Sequence, residues 1–251
     1  MCERNICLTV AYDGTAYHGF QRQANALSIQ QVLEDRLGSL FGHTLKIAGA
    51  ARTDTGVHAH GQVVTFKTTG SIPVSRIPFA AQGVLPTDIV IRKAAVVPAE
   101  FHARISAKSK IYYYRIYNNH LADPLLIRYA WHIRRKLDIE RMSQSLKHII
   151  GKHDFSAFRA TGGATVNPVR EMLHAECRQD GDVIECLFHG TGFLYHMVRN
   201  LVGTLVNIGI HKLDADAMFH IRESRDRHRA GVTAPAHGLY LKEVYYESGL
   251  L

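Results

Sequence analysis

AARTDTGVHAHGQVVTF, residues 50–66, places one carboxylate, Asp54, two positions after Arg52 and just ahead of an alternating strand pattern at 62–67. Gly49, Gly56 and Gly61 bracket it, and glycine permits tight turns and close approach of backbone to a ligand. Asp54 therefore belongs to a loop that feeds a strand. Asp-Thr-Gly is first of all turn chemistry, in which the aspartate accepts backbone hydrogen bonds. The same tripeptide marks aspartic proteases, but their chemistry needs two carboxylates sharing a proton. Here DTG occurs once and DSG not at all, and a cation as near as Arg52 holds a carboxylate ionised. His58 and His60 have the spacing of a metal pair on one strand face, yet 16 histidines make such a spacing common by chance, and no cysteine or carboxylate stands nearby as an obvious third ligand. No metal site is predicted.

Outward from this loop, residues 6–12 read as a strand ended by Asp13-Gly14, and a loop with Tyr17, Phe20 and Gln21-Arg22-Gln23 follows. Ser28 and Gln31 form a capping box that opens a helix with Ile29, Val32, Leu33, Leu37, Leu40 and Phe41 on one stripe, and Gly42 ends it. Residues 89–97 give another strand. From 111 the pattern starts again: a strand at 111–117, then a helix capped by Asp138 that turns Ile139, Met142, Leu146, Ile149 and Ile150 inward before Gly151. A hairpin at 170–178 and 183–189, helices near 193–208 and 215–221, and a last strand at 239–246 complete the chain. Strand then helix, twice, predicts an α+β protein of two similar halves, with mostly antiparallel sheets and helices packed on one face. The expected division is an N-terminal half, 1–105, carrying the Asp54 loop, and a C-terminal half, 106–251.

With 30 lysines and arginines against 22 acids, the formal charge is +8, which favours an anionic partner such as nucleic acid or a membrane surface. The first residues lack the pattern of a secretion signal. The most apolar region, 187–211, is interrupted by Arg199, so neither flank reaches the ~20 residues of a membrane helix. A soluble, cytoplasmic protein is expected. Cys2, Cys7, Cys177 and Cys186 contain no CxxC pair and are read as structural. A two-residue turn at Asp180-Gly181 would set Cys177 opposite Ile184, which argues against a bridge to Cys186.

Two further features carry chemistry. Arg199 is the lone formal charge in 187–211, a segment apolar on nearly every side, and a buried guanidinium must find a partner because an unpaired one costs several kcal/mol. It either caps carbonyls or pairs with an acid, and Asp54 is the acid that would make it functional. Lys108-Ser109-Lys110 precedes IYYYRIY, residues 111–117, where alternation puts Tyr112, Tyr114 and Ile116 on one face. Strand tyrosines are ordinary packing residues; beside cations they also suit a ring stacked on a base with phosphates held nearby. Cations at 134–136 and at Arg222, Arg225, Arg227 and Arg229 would extend a phosphate-tracking surface.

Six ordered motifs, AYDGTAYHGFQRQ (11–23), ARTDTGVHAHGQV (51–63), FHARISAKSKIYYYRIYN (101–118), HDFSAFRA (153–160), FLYHMVRNLVGTL (193–205) and GVTAPAHGLYL (231–241), give the chain a resemblance to the TruA family of tRNA pseudouridine synthases over nearly its whole length. The resemblance implies the pseudouridine synthase fold and an isomerase that converts uridine to pseudouridine at tRNA positions 38, 39 and 40, in the anticodon stem-loop. It also implies a homodimer and no cofactor. By motif position, it makes Asp54 the catalytic aspartate, Tyr112 the tyrosine stacked on the target base, Arg52 the arginine that holds the nucleotide flipped out, and Arg199 a helical partner near the active site. Two departures stand out. Ala51 replaces a usual glycine, and Gln82-Gly83-Val84-Leu85-Pro86 replaces an asparagine-containing loop.

Overall fold

The strand that follows the Asp54 loop is the one around which the first part of the chain assembles. The protein is described here by a computed structural model covering residues 3–162 and 167–247. Two compact units are present: unit 1 comprises Met1–Lys108 and Tyr240–Leu251, and unit 2 comprises Ser109–Leu239. In chain order the first elements are β1 (Arg4–Tyr12), α1 (Ile29–Phe41), β2 (Ala48–Gly49), β3 (His58–Thr68), α2 (Ile77–Gln82) and β4 (Ile89–Val97). Next come β5 (Ser109–Tyr117), β6 (Trp131–His132), α3 (Ile139–Leu146), β7 (Gly151–Asp154), β8 (Val169–Asp180), β9 (Val183–Gly190), α4 (Met197–Gly209), α5 (Ala217–Ser224) and β10 (Leu239–Tyr245).

In unit 1 the strand order is β4-β1-β3-β10, with β2 also on β3. β1 lies antiparallel to β3 and β4 (Ile6 opposite Phe66 and Val96), while β10 joins β3 in parallel through Tyr240↔His58 and Leu241↔Ala59. This parallel pairing explains why β3 begins at His58, four residues before the alternation becomes legible. Gly61 makes the approach possible, since a Cβ there would lie 2.4 Å from the Lys242 carbonyl oxygen. Helix α1 has the expected ends: Ser28 Oγ accepts from the Gln31 amide at 3.3 Å, and Gly42 adopts φ +74°. Its buried stripe is Ile29, Val32, Leu33, Leu37 and Phe41.

Unit 2 orders its strands β5-β9-β8-β7, antiparallel throughout, with β6 added in parallel to β5. Asp138 caps α3 by accepting from the Arg141 amide at 3.0 Å. Met142, Leu146 and Ile149 are buried, but Ile150 is 38% exposed. The helix has by then tightened into a 3₁₀ turn at Lys147–Ile149, and Ile150 is extended, so its side chain leaves the inward stripe. Helix α4 starts at Met197 rather than 193, because residues 194–197 form a turn and His196 holds a left-handed φ of +57°. Nearly all of α4 is buried.

The β8–β9 register corrects one expectation. Asp180 pairs with Val183, so the turn is Gly181-Asp182 and Cys177 faces Cys186. Gly181 has φ +55° and Asp182 does not have a positive φ, so the left-handed residue is the first of the Gly181-Asp182 pair, as a type II′ turn requires. Both thiols are nevertheless buried and free, as is Cys7; Cys2 lies outside the described residues. Among the described residues, no helix is long and apolar enough to cross a membrane.

Candidate active site

The chain from β2 to β3 carries the first group of candidate residues, in unit 1. Ala48 and Gly49 pair with Thr65 and Val64, and the Ala50 amide still donates to the Val63 carbonyl at 2.8 Å. The backbone then leaves the sheet. Arg52 is exposed, Thr53 buried and Asp54 half-buried. Asp54 opens a four-residue turn closed by the Val57 amide on its carbonyl at 3.1 Å, with Gly56 at φ +78° in the position that demands a left-handed residue.

The 13–20 loop braces this turn. The Phe20 amide donates to Thr53 O at 3.0 Å and the Gly56 amide to Tyr17 O at 3.3 Å. Gly14 and Gly19 permit the contact: a Cβ would lie 2.0 Å from Val57 O at the first and 2.7 Å from Thr53 O at the second. Tyr17 in turn donates its hydroxyl to Asp88 Oδ1 at 2.7 Å, and Asp88 follows the Leu85-Pro86 loop that departs from the usual pattern. The departure at Ala51 is tolerated because the non-glycine described residues with positive φ are His196, His211 and Arg225; Ala51 needs no glycine-like backbone. The His58 and His60 rings lie against Tyr240, at centroid distances of 4.8 and 5.7 Å, and His58 Nδ1 sits 3.0 Å from Asp13 Oδ1. Among the described residues, no group of three His, Cys, Asp or Glu is disposed to hold a metal ion.

Tyr112 and Arg199 belong to unit 2. Tyr112 faces Phe188 across β5–β9 and meets the Phe193 ring edge-on at 4.9 Å. Its neighbours on the strand have packing roles: Tyr114 is fully buried, with its hydroxyl donated to Pro235 O at 2.7 Å, and Tyr113 lies under the Arg115 guanidinium at 5.1 Å. Arg199 is half-buried on α4, donates Nε–H to Ala234 O at 2.7 Å, and accepts the Ala234 amide on its own carbonyl at 3.1 Å. Carbonyl capping is thus one of its functions.

A polar network missed in the sequence holds that segment. Asn200 Oδ1 accepts from Arg227 Nη2 at 2.9 Å and from Thr233 Oγ1 at 2.7 Å, Asn200 Nδ2 donates to Phe158 O at 2.8 Å, and the Gly231 amide donates to Thr204 Oγ1 at 2.9 Å. The signal was present: Asn200 and Thr204 sit at i, i+4 in a helix that is mostly apolar and buried, where polar groups must be partnered. Arg227 is accordingly part of the scaffold, and burial lowers its pKa. Arg222 is likewise buried, with bonds to the His148 carbonyl and Glu223. Arg222 and Arg227, two of the six arginines expected to track phosphates, are therefore engaged in scaffold contacts.

A family model described as tRNA pseudouridine synthase matches residues 8–105 and 146–247. The tRNA pseudouridine synthase A of Acetivibrio thermocellus is 46% identical over 243 residues, 97% of this chain and 100% of that protein. That of a Thermoanaerobacter species is 44% identical over the same shares of both chains, and that of Lacticaseibacillus casei is 43% identical over 95% of this chain and 98% of its own. With the Asp54 turn and the α4 arginine standing inside the matched segments, this chain belongs to the tRNA pseudouridine synthase family.

Proposed function

We propose that the chain isomerises uridine to pseudouridine at positions 38, 39 and 40 of the tRNA anticodon stem-loop, with Asp54 as the catalytic carboxylate. The reaction breaks the ribose–nitrogen bond of uridine, turns the freed uracil and rejoins it through a carbon, so no atom enters or leaves. One ionised carboxylate suffices, whether it attacks the sugar, attacks the base or takes a ribose proton. Tyr112 stacks on the target base, Arg52 holds the nucleotide everted, and Arg199 partners the site from its helix. Eversion from a paired stem costs a few kcal/mol, and stacking on an aromatic ring returns roughly 1–3 kcal/mol. The N-terminal half supplies the catalytic loop, and the C-terminal half supplies the stacking strand and the arginine helix. The working form is a cytoplasmic homodimer that uses neither cofactor nor metal.

The observation that carries this reading is the family match, which includes the Asp54 loop and extends over the full length of relatives named for the activity. Tyr112 falls between the two matched segments and rests on its motif alone. The test is conversion of an unmodified anticodon arm by purified protein in the presence of a chelator, with pseudouridine mapped by base-specific chemistry. Asp54→Asn is expected to lose at least about 10²-fold in turnover while retaining tRNA affinity. Wild-type turnover by this variant would remove Asp54 from the chemistry.

A further inference from the structure

We infer that Gln62, Tyr12 and Thr53 are positioning residues for the Asp54 carboxylate, acting as side-chain pins on the main chain that leads into it. The inference rests on Asp54 being the catalytic group. It begins where the backbone leaves the sheet. The Ala50 amide is the last to bond to β3, through Val63 O at 2.8 Å. Ala51 is only 5% exposed, so its peptide groups would be buried orphans. The Gln62 side chain meets both: its Oε1 accepts from the Ala51 amide at 3.1 Å, and its Nε2 donates to Ala51 O at 2.7 Å. One side-chain amide thus takes the place of a neighbouring strand at the point where pairing stops.

The second pin follows two residues later. Tyr12, at the end of β1, shares a 2.7 Å hydrogen bond between its hydroxyl and Thr53 Oγ1, and Gln62 Nε2 lies 3.5 Å from the same hydroxyl. Tyr12, Thr53 and Gln62 are 4%, 7% and 0% exposed. Burying three polar side chains among apolar neighbours is costly unless every group is partnered. Here the partners are the backbone and side chain on either side of Arg52, immediately before Asp54. Thr53 is held from both ends, since its carbonyl also accepts from Phe20. A catalytic group fixed this way keeps its geometry, and a misplacement near 1 Å costs on the order of 10²-fold in rate.

The experiment measures single-turnover conversion with saturating unmodified tRNA, tRNA affinity and thermal melting on the full chain. Tyr12→Phe, Thr53→Val and Gln62→Met remove hydrogen bonds with little change in volume; Thr53→Ser keeps the hydroxyl. Expected are losses of about 10-fold for Tyr12→Phe and Thr53→Val and up to about 10²-fold for Gln62→Met, with affinity unchanged within about twofold. Thr53→Ser should restore the rate to within about threefold, and the Tyr12→Phe/Thr53→Val double variant should be no slower than Tyr12→Phe, because both substitutions break the same Tyr12–Thr53 bond. If Gln62→Met fails to fold, the Tyr12–Thr53 cycle decides alone. Folded variants that melt earlier but turn over at the wild-type rate overturn the inference while Asp54→Asn is inactive. Full turnover by Asp54→Asn overturns the assignment of Asp54, and the positioning role with it.

Discussion

Replacing Gly203 by alanine sets two known effects against each other. In an ordinary helix interior the change stabilises by about 1 kcal/mol, because alanine is the better helix former. Gly203 is not in an ordinary setting: a Cβ there would lie 1.7 Å from Val232 O and 2.9 Å from the Val232 carbonyl carbon. The backbone at 231–232 would have to retreat by roughly 1.7 Å to reach the 3.4 Å of normal contact. Four hydrogen bonds span that contact, namely Gly231 N–H to Thr204 Oγ1, Thr233 Oγ1 to Asn200 Oδ1, Arg199 Nε to Ala234 O, and Ala234 N–H to Arg199 O. Neutral bonds contribute about 1 kcal/mol each and the arginine bond about 1.5–3 kcal/mol. Losing most of them outweighs the helix gain, leaving a net destabilisation of roughly 3–5 kcal/mol. Urea unfolding of wild type and Gly203→Ala measures this directly. A variant more stable than wild type would show that α4 and the 231–234 segment are not in the tight contact that fixes Arg199.

The Asp54 turn has its own glycine test. Gly19→Ala, at φ +82° and with its Cβ 2.7 Å from Thr53 O, should lower both melting temperature and turnover, whereas Gly83→Ala, at φ −74° and with 3.6 Å to its nearest neighbour, should stabilise by about 0.4–1 kcal/mol and leave turnover alone. Alkaline stability should depend on Tyr12, whose pKa burial raises above its ordinary value of 10. The folded state therefore keeps a proton that the unfolded chain releases; the stabilisation is intact below pH 10 and is lost as pH rises above it, by about 1.4 kcal/mol per pH unit. Denaturant midpoints between pH 8 and 11 should fall less steeply for Tyr12→Phe, and an unchanged slope would contradict the burial. Burial also raises the Cys177 thiol far above the usual range, and the Cys186 side chain is fully buried, so both should resist a thiol reagent in the native protein and react on unfolding; rapid native labelling of either would count against the β8–β9 packing.

How much of this was legible in the sequence follows from which interactions are local. The ends of α1 and α3 were readable because Ser28, Gly42 and Asp138 act on their own helix within a few residues. The Asp54 loop was readable as a loop for the same reason, with Gly56 supplying the left-handed turn residue. The start of β3 was not, since it depends on β10, Tyr240 pairing with His58 far along the chain, and on Gly61 making room for it. The start of α4 was misjudged because residues 193–196 are as apolar and aromatic as the helix itself, and only the left-handed backbone of His196 separates them. The cysteine register failed by one residue at the turn, which shifts every cross-strand partner by two, from Ile184 to Cys186 for Cys177.

The same distinction separates the candidate residues from their supports. Asp54 and Arg199 were picked out by residue type in a telling local context, a carboxylate between glycines and a charge in an apolar helix, whereas the choice of Tyr112 among the strand tyrosines and the role of Arg52 came from the motif resemblance. Gln62, Tyr12, Asn200 and Thr204 do nothing conspicuous locally, and their purpose emerges only when the buried backbone and side-chain groups they satisfy are located. A polar residue in a strand or helix that otherwise reads as core is therefore the sequence signal to follow, because burying it unpartnered would cost about 1–3 kcal/mol. In this chain two such residues lead to the main chain near a candidate site residue: Gln62, through two hydrogen bonds to Ala51, to the chain entering the Asp54 turn, and Asn200, through Thr233, to the segment that bonds Arg199.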